Sequence, residues 1–69
     1  MARTRKLLTD DDFQEAMNKQ FAVRVFEHDH LISAGGRIIR FDDNQVVIQQ
    51  SISDIAYHAR ASCDFFETR

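Results

Sequence analysis

The sequence has 69 residues, enough for one small domain whose apolar burial barely offsets the entropy lost on folding, so a partner subunit is expected. Its 9 lysines and arginines against 11 aspartates and glutamates give a formal net charge of -2, which disfavours non-specific coating of nucleic acid. The single cysteine, Cys63, excludes an internal disulfide, and the N-terminal residues lack the apolar segment of a signal peptide or membrane span, so we expect a cytoplasmic protein with no membrane partner.

The N-terminal residues are rich in basic side chains, and we interpret residues 1–7 as a flexible arm ahead of a single domain at residues 8–69. Arg3, Arg5 and Lys6 could follow the phosphates of a nearby ligand. The alternative is a solvated terminus that only aids solubility.

A short helix is predicted from about Asp10 to Gln20. Thr9 can cap its first turn with Asp12 three residues on, and the three aspartates there suit the positive end of the helix dipole. We interpret these aspartates as capping groups and not as a metal site, because adjacent carboxylates splay apart around a helical turn. The apolar stripe of the helix is Phe13, Ala16 and Met17. Such a stripe predicts that the helix covers one side of another element.

Five strands are predicted after the helix, because apolar β-branched and aromatic residues recur between short polar breaks. These strands are Phe21–His28, Leu31–Phe41, Val46–Ile48, Ile55–His58 and Ser62–Phe66. One helix followed by five sequential antiparallel strands predicts a mainly β fold, a small and strongly bent barrel with the helix over one end.

The second predicted strand contains Gly35 and Gly36 at its middle. Glycines within a strand mark a bulge or a sharp bend, which a small barrel needs to wrap one strand into both halves of its wall. Beyond the bend, strict alternation places Ile39 and Phe41 on one face and Ile38 on the other. We therefore expect the glycines to be architectural.

Arg24 and Phe26 share one face of the first predicted strand, where they could together hold a nucleic-acid base. The alternative for Phe26 is ordinary packing in the core or in an interface. Phe65 and Phe66 must point to opposite faces of the last strand, so one of them can leave the core for an intersubunit contact.

His28 and His30 form the most metal-like pair, since alternate residues of a strand share a face. Two ligands are too few for a site, so we expect a turn at Asp29 and no metal ion. Cys63 fits a small buried hydrophobe better than a reactive thiol. No nucleophile and base are held together by a recognisable motif, so neither an enzyme nor a cofactor is indicated.

The order of elements and several motifs together resemble the Sm and Sm-like (LSm) family, and within it the Hfq branch of bacterial RNA chaperones. Besides the helix stripe, the matching segments are Val23–Phe26, Gly36–Asp42, Val46–Ile48 and Tyr57–Ser62. The last of these, Tyr-His-Ala-Arg-Ala-Ser, is similar to the Tyr-Lys-His-Ala-Ile-Ser block of Hfq. The resemblance extends from about Leu8 to Phe66.

The resemblance implies a five-stranded, SH3-like barrel of the Sm type that assembles into a homo-oligomeric ring of about five to seven subunits. In such rings the fourth strand of one barrel pairs with the fifth strand of its neighbour, which also covers exposed sheet edges. The partner expected first is therefore a second copy of the chain.

The resemblance also implies a site for single-stranded RNA around the pore of the ring, formed here by Asp43, Asn44, Tyr57 and His58. Hfq has a glutamine and an aromatic where this chain has Asp43 and Asn44, so a stacking ring is lost and an acid is gained. Repeated around a ring, Asp43 would form an acidic collar that repels phosphate. His58 could supply positive charge below its ordinary pKa of ~6.5.

The opposite face of Hfq rings binds adenine-rich RNA through an aromatic at the position of Phe26, and His30 or Ile32 would stand nearby. Lys19 matches one position of the basic rim on the helix, but its neighbours are amides where arginines would be expected. The rim is therefore expected to be weakly basic.

The leading hypothesis is a homo-oligomeric ring that binds single-stranded RNA, in an Hfq-like or RNA-chaperone role with altered specificity. The alternative is a ring that serves as a protein-interaction or structural module and has lost RNA binding. A monomeric SH3-like barrel that binds a peptide is a further alternative, and the small size of the core argues against it.

Overall fold

The computed structural model describes residues 4–68, which form six strands and one helix. Numbered along the chain, these are β1 (Thr4–Leu7), α1 (Asp10–Lys19), β2 (Ala22–Glu27), β3 (His30–Phe41), β4 (Gln45–Ser51), β5 (Asp54–Ala59) and β6 (Cys63–Thr68). The predicted mainly β class, the helix and the five strands that follow it are confirmed. β1 is an additional strand.

The strands form one antiparallel sheet in the order β1-β6-β2-β3-β4-β5. β3 belongs to both halves of this sheet, since its first part pairs with β2 and the part from Arg37 onward pairs with β4. The change of partner occurs at the glycine pair, where Gly35 has a φ of +82° and Gly36 packs against the Ile48 side chain. The predicted bend at the glycines is therefore confirmed.

The hydrophobic core lies between α1 and the inner face of the bent sheet. Its buried members are Leu7, Phe13, Ala16, Val23, Val25, Ile38, Val46, Ile48, Cys63 and Phe65. Cys63 is buried, as expected for a small hydrophobe, and burial raises the pKa of its thiol, which disfavours the thiolate form.

The helix begins as predicted, with a capping box. The Thr9 hydroxyl accepts a hydrogen bond from the Asp12 amide at 3.2 Å, and the Asp12 carboxylate accepts from the amides of Leu8 and Thr9 at 3.0 and 3.1 Å. These two backbone donors hold the pKa of Asp12 below its usual value. Gln20, with a φ of 57°, ends the helix in the left-handed conformation. Within residues 4–68 no helix has the length and apolar character needed to cross a membrane.

The interpretation of residues 1–7 as a flexible arm is corrected over Thr4–Leu7, which form β1 and pair with Phe65–Thr68 of β6. The physical reason is twofold. Leu7 is buried in the core, and Arg5 lies 3.1 Å from the carboxylate of Glu67, which is fully buried. Arg3 lies outside the described residues.

Strict alternation fails in β3 after Ile38. The register runs from Ile38 opposite Ile48 to Arg40 opposite Val47, so β3 carries one extra residue there. This bulge returns Phe41 to the core side beside Ile38 and leaves Ile39 41% exposed. The expectation that Ile39 and Phe41 share a face was therefore wrong.

Candidate nucleic-acid interfaces

The outer surface of β2 and β6 carries two aromatic rings that the core does not use. Alternation sends Val25 and Phe65 into the core, so Phe26 and Phe66 emerge on the opposite side. Their ring centroids are 5.5 Å apart at an interplanar angle of 87°, an edge-to-face pair. A pocket of about 380 Å³ adjoins them, lined by Thr4, Arg24, Phe26, Asp29, Asp64 and Phe66. We call this surface the aromatic face.

The charges of the aromatic face nearly balance. Arg24 is exposed and lies opposite Phe66 across the strand pair. The Asp64 carboxylate is 3.4 Å from the Lys6 ammonium, and Asp29 adds a second carboxylate from the β2–β3 turn. The surface therefore offers flat apolar groups and one guanidinium, with limited attraction for phosphate.

The sequence located half of this arrangement. Arg24 and Phe26 were predicted to share a face, and the pocket confirms it. Alternation predicted that either Phe65 or Phe66 leaves the core, and the structure shows that it is Phe66. The contact of Phe66 with Phe26 was missed because nothing local shows that β6 lies beside β2. His30 is exposed at the start of β3, opposite Glu27, and it does not line the pocket.

A second candidate surface, the turn face, consists of the β3–β4 turn and the β5–β6 turn. The Asp42 carboxylate accepts hydrogen bonds from the amides of Asn44 and Gln45 at 2.8 and 2.9 Å, which lower the pKa of Asp42. The Arg60 amide donates to the Asn44 carbonyl at 2.9 Å, so the two turns meet. Asp43 and Asn44 are both exposed in this turn. Whether Asp43 lines a pore stays a prediction.

Arg60 is the residue that ties the turn face together, and its side chain is only 17% exposed. Its Nη1 atom donates to Asp10 Oδ1 and to the Asp42 carbonyl, both at 2.8 Å. Its guanidinium carbon lies 4.5 Å from the Phe13 ring centroid, a cation–π contact. Sequence reasoning did not place Arg60 between the helix and the β3–β4 turn, because its side-chain partners are 50 and 18 residues away along the chain.

Tyr57 and His58 point to opposite sides of β5. Tyr57 is 63% exposed on the outer surface. His58 lies half-buried on the inner side, with its ring centroid 6.3 Å from that of Phe65. Its Nε2 atom is buried and has no hydrogen-bond partner among residues 4–68. Burial lowers the pKa of His58, against the weaker opposing effect of the Glu27 carboxylate. This works against the hypothesis that His58 becomes positively charged as soon as the pH falls below its ordinary pKa of 6.5.

The burial of His58 predicts a pH dependence of stability. Its pKa is lower in the folded chain than the ordinary value of 6.5, so the unfolded chain binds the proton more readily. We expect the free energy of unfolding to be highest above pH 6.5 and to fall as the pH decreases below that value. Asp12 and Asp42 have lowered pKa values, so the stability they contribute is lost only below their ordinary value of 3.8.

Urea unfolding at pH 7.5, 6.5 and 5.5 measures this effect. The control is His58→Phe, which retains a ring against Phe65 and removes the titrating group. The urea midpoint of the original chain is expected to fall toward pH 5.5, and that of the variant to stay nearly constant. Parallel decreases in both chains would show that His58 is not the group responsible.

Those basic residues predicted to contact phosphate that lie within residues 4–68 face carboxylates of their own chain. Arg5 lies 2.6 Å from Asp12 and 3.1 Å from Glu67, Lys6 lies 3.4 Å from Asp64, and Lys19 lies 3.8 Å from Glu15. The Lys19 ammonium also lies 5.9 Å from the Phe21 ring centroid. Much of their positive charge is therefore offset within the chain.

The turn predicted at Asp29 is confirmed. His28 and Asp29 have φ values of 51° and 65°, the left-handed pair that joins two antiparallel strands in a tight hairpin between Glu27 and His30. Among residues 4–68, no three or more histidine, cysteine, aspartate or glutamate side chains converge in a way that could hold a metal ion.

Comparison of the chain with protein-family models, curated proteins and solved structures found no match.

Proposed function

We propose that the chain is a subunit of an Sm-like homo-oligomeric ring that binds single-stranded RNA, with the aromatic face as the surface that contacts bases. Three features support the Sm-like assignment. The helix precedes five antiparallel strands in the spatial order β6-β2-β3-β4-β5, β3 bends at Gly35 and Gly36 to join both halves of the sheet, and the motif segments fall on the corresponding strands.

Self-association is supported by the outer edge of β5. This six-residue strand pairs with β4 on one side and has no partner strand on the other within residues 4–68. Ile55 and Tyr57 are 46% and 63% exposed along it, and the strand contains no lysine or proline of the kind that blunts sheet edges. Pairing with a second copy would provide hydrogen-bond partners for the backbone groups along this edge and would enlarge the small core.

The observation that carries RNA binding is the Phe26–Phe66 pair beside Arg24 at an open pocket. Exposed aromatic rings stack on bases, and such contacts contribute about 1–3 kcal/mol per base when tested by alanine substitution. A nearby guanidinium can stack on a base or contact a phosphate. The resemblance to Hfq points to adenine-rich RNA on this face, and the carboxylates of Asp29 and Asp64 predict a modest affinity.

Fluorescence anisotropy with labelled oligoadenosine and oligouridine tests this proposal. Phe26→Leu is expected to weaken oligoadenosine binding by ~10-fold, the loss of roughly one stacked base. The control is Ile52→Ser, which removes an exposed apolar side chain remote from the pocket. Binding should weaken steeply with added salt if phosphates are contacted. Equal affinity of both variants for oligoadenosine would contradict the assignment of the aromatic face.

A protein-interaction ring without RNA binding is the second candidate, and one observation favours it. Arg5, Lys6 and Lys19 each face a carboxylate of the same chain, so the described arm and rim offer little free positive charge. A ring that retains neither oligonucleotide at low salt would support this function and contradict RNA binding.

A further inference from the structure

β1 occupies the outer edge of β6, which is the edge that a neighbouring subunit would need in the proposed ring. Its four residues pair with Phe65–Thr68. We propose that β1 is a displaceable cover of this edge, and that β5 of a second copy takes its place when the ring closes. This inference rests on the proposed ring and adds the event that controls its assembly.

The lengths of the strands favour the exchange. β2 pairs with all six residues of β6 on the inner side, whereas β1 pairs with only four on the outer side. The outer edge at Cys63 and Asp64 is left without a partner strand within residues 4–68. β5 has six residues and one open edge, so a β5 from a second copy can extend along the whole of β6.

The two ends of the sheet differ in how they are protected. Short length and charged side chains, lysine above all, are the devices that keep a sheet edge from pairing with another chain. β1 has both, with four residues that include Arg5 and Lys6. β5 is two residues longer, its one carboxylate, Asp54, stands at the first position, and it exposes Ile55 and Tyr57. One end of the sheet is therefore covered and the other is ready to pair.

The attachment of β1 is partly polar and can be released. Leu7 is the residue of β1 that is buried in the core, while Arg5 and Lys6 are about half-exposed and hold the strand through ion pairs. Exposed ion pairs are weakened by salt. Arg5 also pairs with Glu67, whose carboxylate is fully buried, so this pair must separate when β1 is displaced. Ile55 and Tyr57 of an incoming β5 bring apolar surface that offsets the loss of Leu7.

The first test pins β1 in place. Thr4 and Thr68 lie opposite each other in the β1–β6 register, so Thr4→Cys with Thr68→Cys, in a Cys63→Ala background, allows a reversible disulfide between the two strands. Particle mass is measured by light scattering with and without reductant. The reduced chain is expected to assemble like the original. The oxidised chain is expected to assemble only at a protein concentration at least ~10-fold higher.

The second test loosens β1. Arg5→Glu places a carboxylate beside Asp12, Glu15 and Glu67, so it should expel the strand and lower the concentration needed for assembly by several-fold. The control is Lys19→Glu, which makes the same change of charge beside Glu15 but outside β1. The control is expected to assemble like the original chain. Circular dichroism confirms that each variant is folded.

The outcomes separate this inference from the proposed ring. Assembly of the oxidised disulfide variant as readily as its reduced form would overturn the cover and leave the ring intact. If the original chain is monomeric and its Arg5→Glu variant assembles, that result would directly support the proposal that β1 covers the edge of β6. A chain that stays monomeric at every concentration, in all variants, would overturn both.

Discussion

Truncating Phe13 to alanine is expected to unfold most of the protein. Phe13 is 3% exposed, and its ring centroid lies 5.7 Å from that of Phe41 and 5.5 Å from that of Phe65. Removing a buried phenylalanine ring costs about 3–5 kcal/mol. Domains have about 0.05–0.15 kcal/mol of stability per residue, so a chain of this size can lose most of its stability through this one change.

The effect of Phe13→Ala should also reach the turn face. The same ring supports the Arg60 guanidinium, which links the helix to both turns. Truncation removes that contact. It also displaces the helix, so Asp10 is no longer held where it can pair with Arg60. The structure of the turn face therefore depends on Phe13, and the turn face should become disordered together with the helix.

Urea unfolding followed by circular dichroism measures the change, with Phe66→Ala as the matched control. Phe66 is half-buried on the aromatic face and packs edge-to-face against Phe26. Its truncation leaves the core intact and is expected to cost less than half as much as Phe13→Ala. Equal losses at the two positions would show that the helix contributes less to the core than its packing indicates.

The parts of the fold that the sequence predicted are those fixed by local signals. The Thr9–Asp12 capping box, the left-handed hairpin at His28 and Asp29, and the bend at the glycine pair each depend on residues within a few positions of one another. Local chemistry determines these features, so their positions could be inferred without knowledge of the rest of the chain.

The features that sequence reasoning missed depend on residues far apart in the chain. β1 contains one strongly apolar residue, so its own sequence does not predict a strand. It is a strand because it pairs with the opposite end of the chain, where Arg5 forms an ion pair with Glu67 and Leu7 lies opposite Phe65. Arg60 likewise acquires its role only when the helix and two turns converge. Alternation left open whether Phe26 packs in the core and which of Phe65 and Phe66 faces outward, and only the strand order brings Phe26 and Phe66 together.

Replacing Gly36 with alanine is expected to destabilise the fold through crowding at the bend of β3. A Cβ atom there would collide with the Cγ2 methyl of Ile48 and lie 3.1 Å from Cγ of Gln50. Ile48 is fully buried, so it cannot move aside without disturbing the core. Overpacking of this kind costs about 1–3 kcal/mol.

Gly35 provides the matched control because it meets a different requirement. Its φ of +82° disfavours most side chains, but a Cβ there would meet nothing within 4 Å. Asparagine tolerates left-handed backbone better than other residues, so Gly35→Asn should cost less than ~1 kcal/mol. Urea midpoints of the two variants test the distinction. A greater loss in Gly35→Asn would mean that backbone conformation, and not the close packing of two strands, limits the bend.

The bend has a functional consequence because β3 is the one strand shared by both halves of the sheet. The aromatic face is attached to its first half through β2, and the turn face to its second half through β4. If the fold accommodates an alanine at position 36 by opening the bend, the angle between the aromatic face and the turn face changes. The angle between the edges of β5 and β6 changes with it. If the proposed ring forms, folded Gly36→Ala protein is therefore expected to assemble less readily than Gly35→Asn, whereas equal assembly would show that the proposed assembly tolerates a change in this angle.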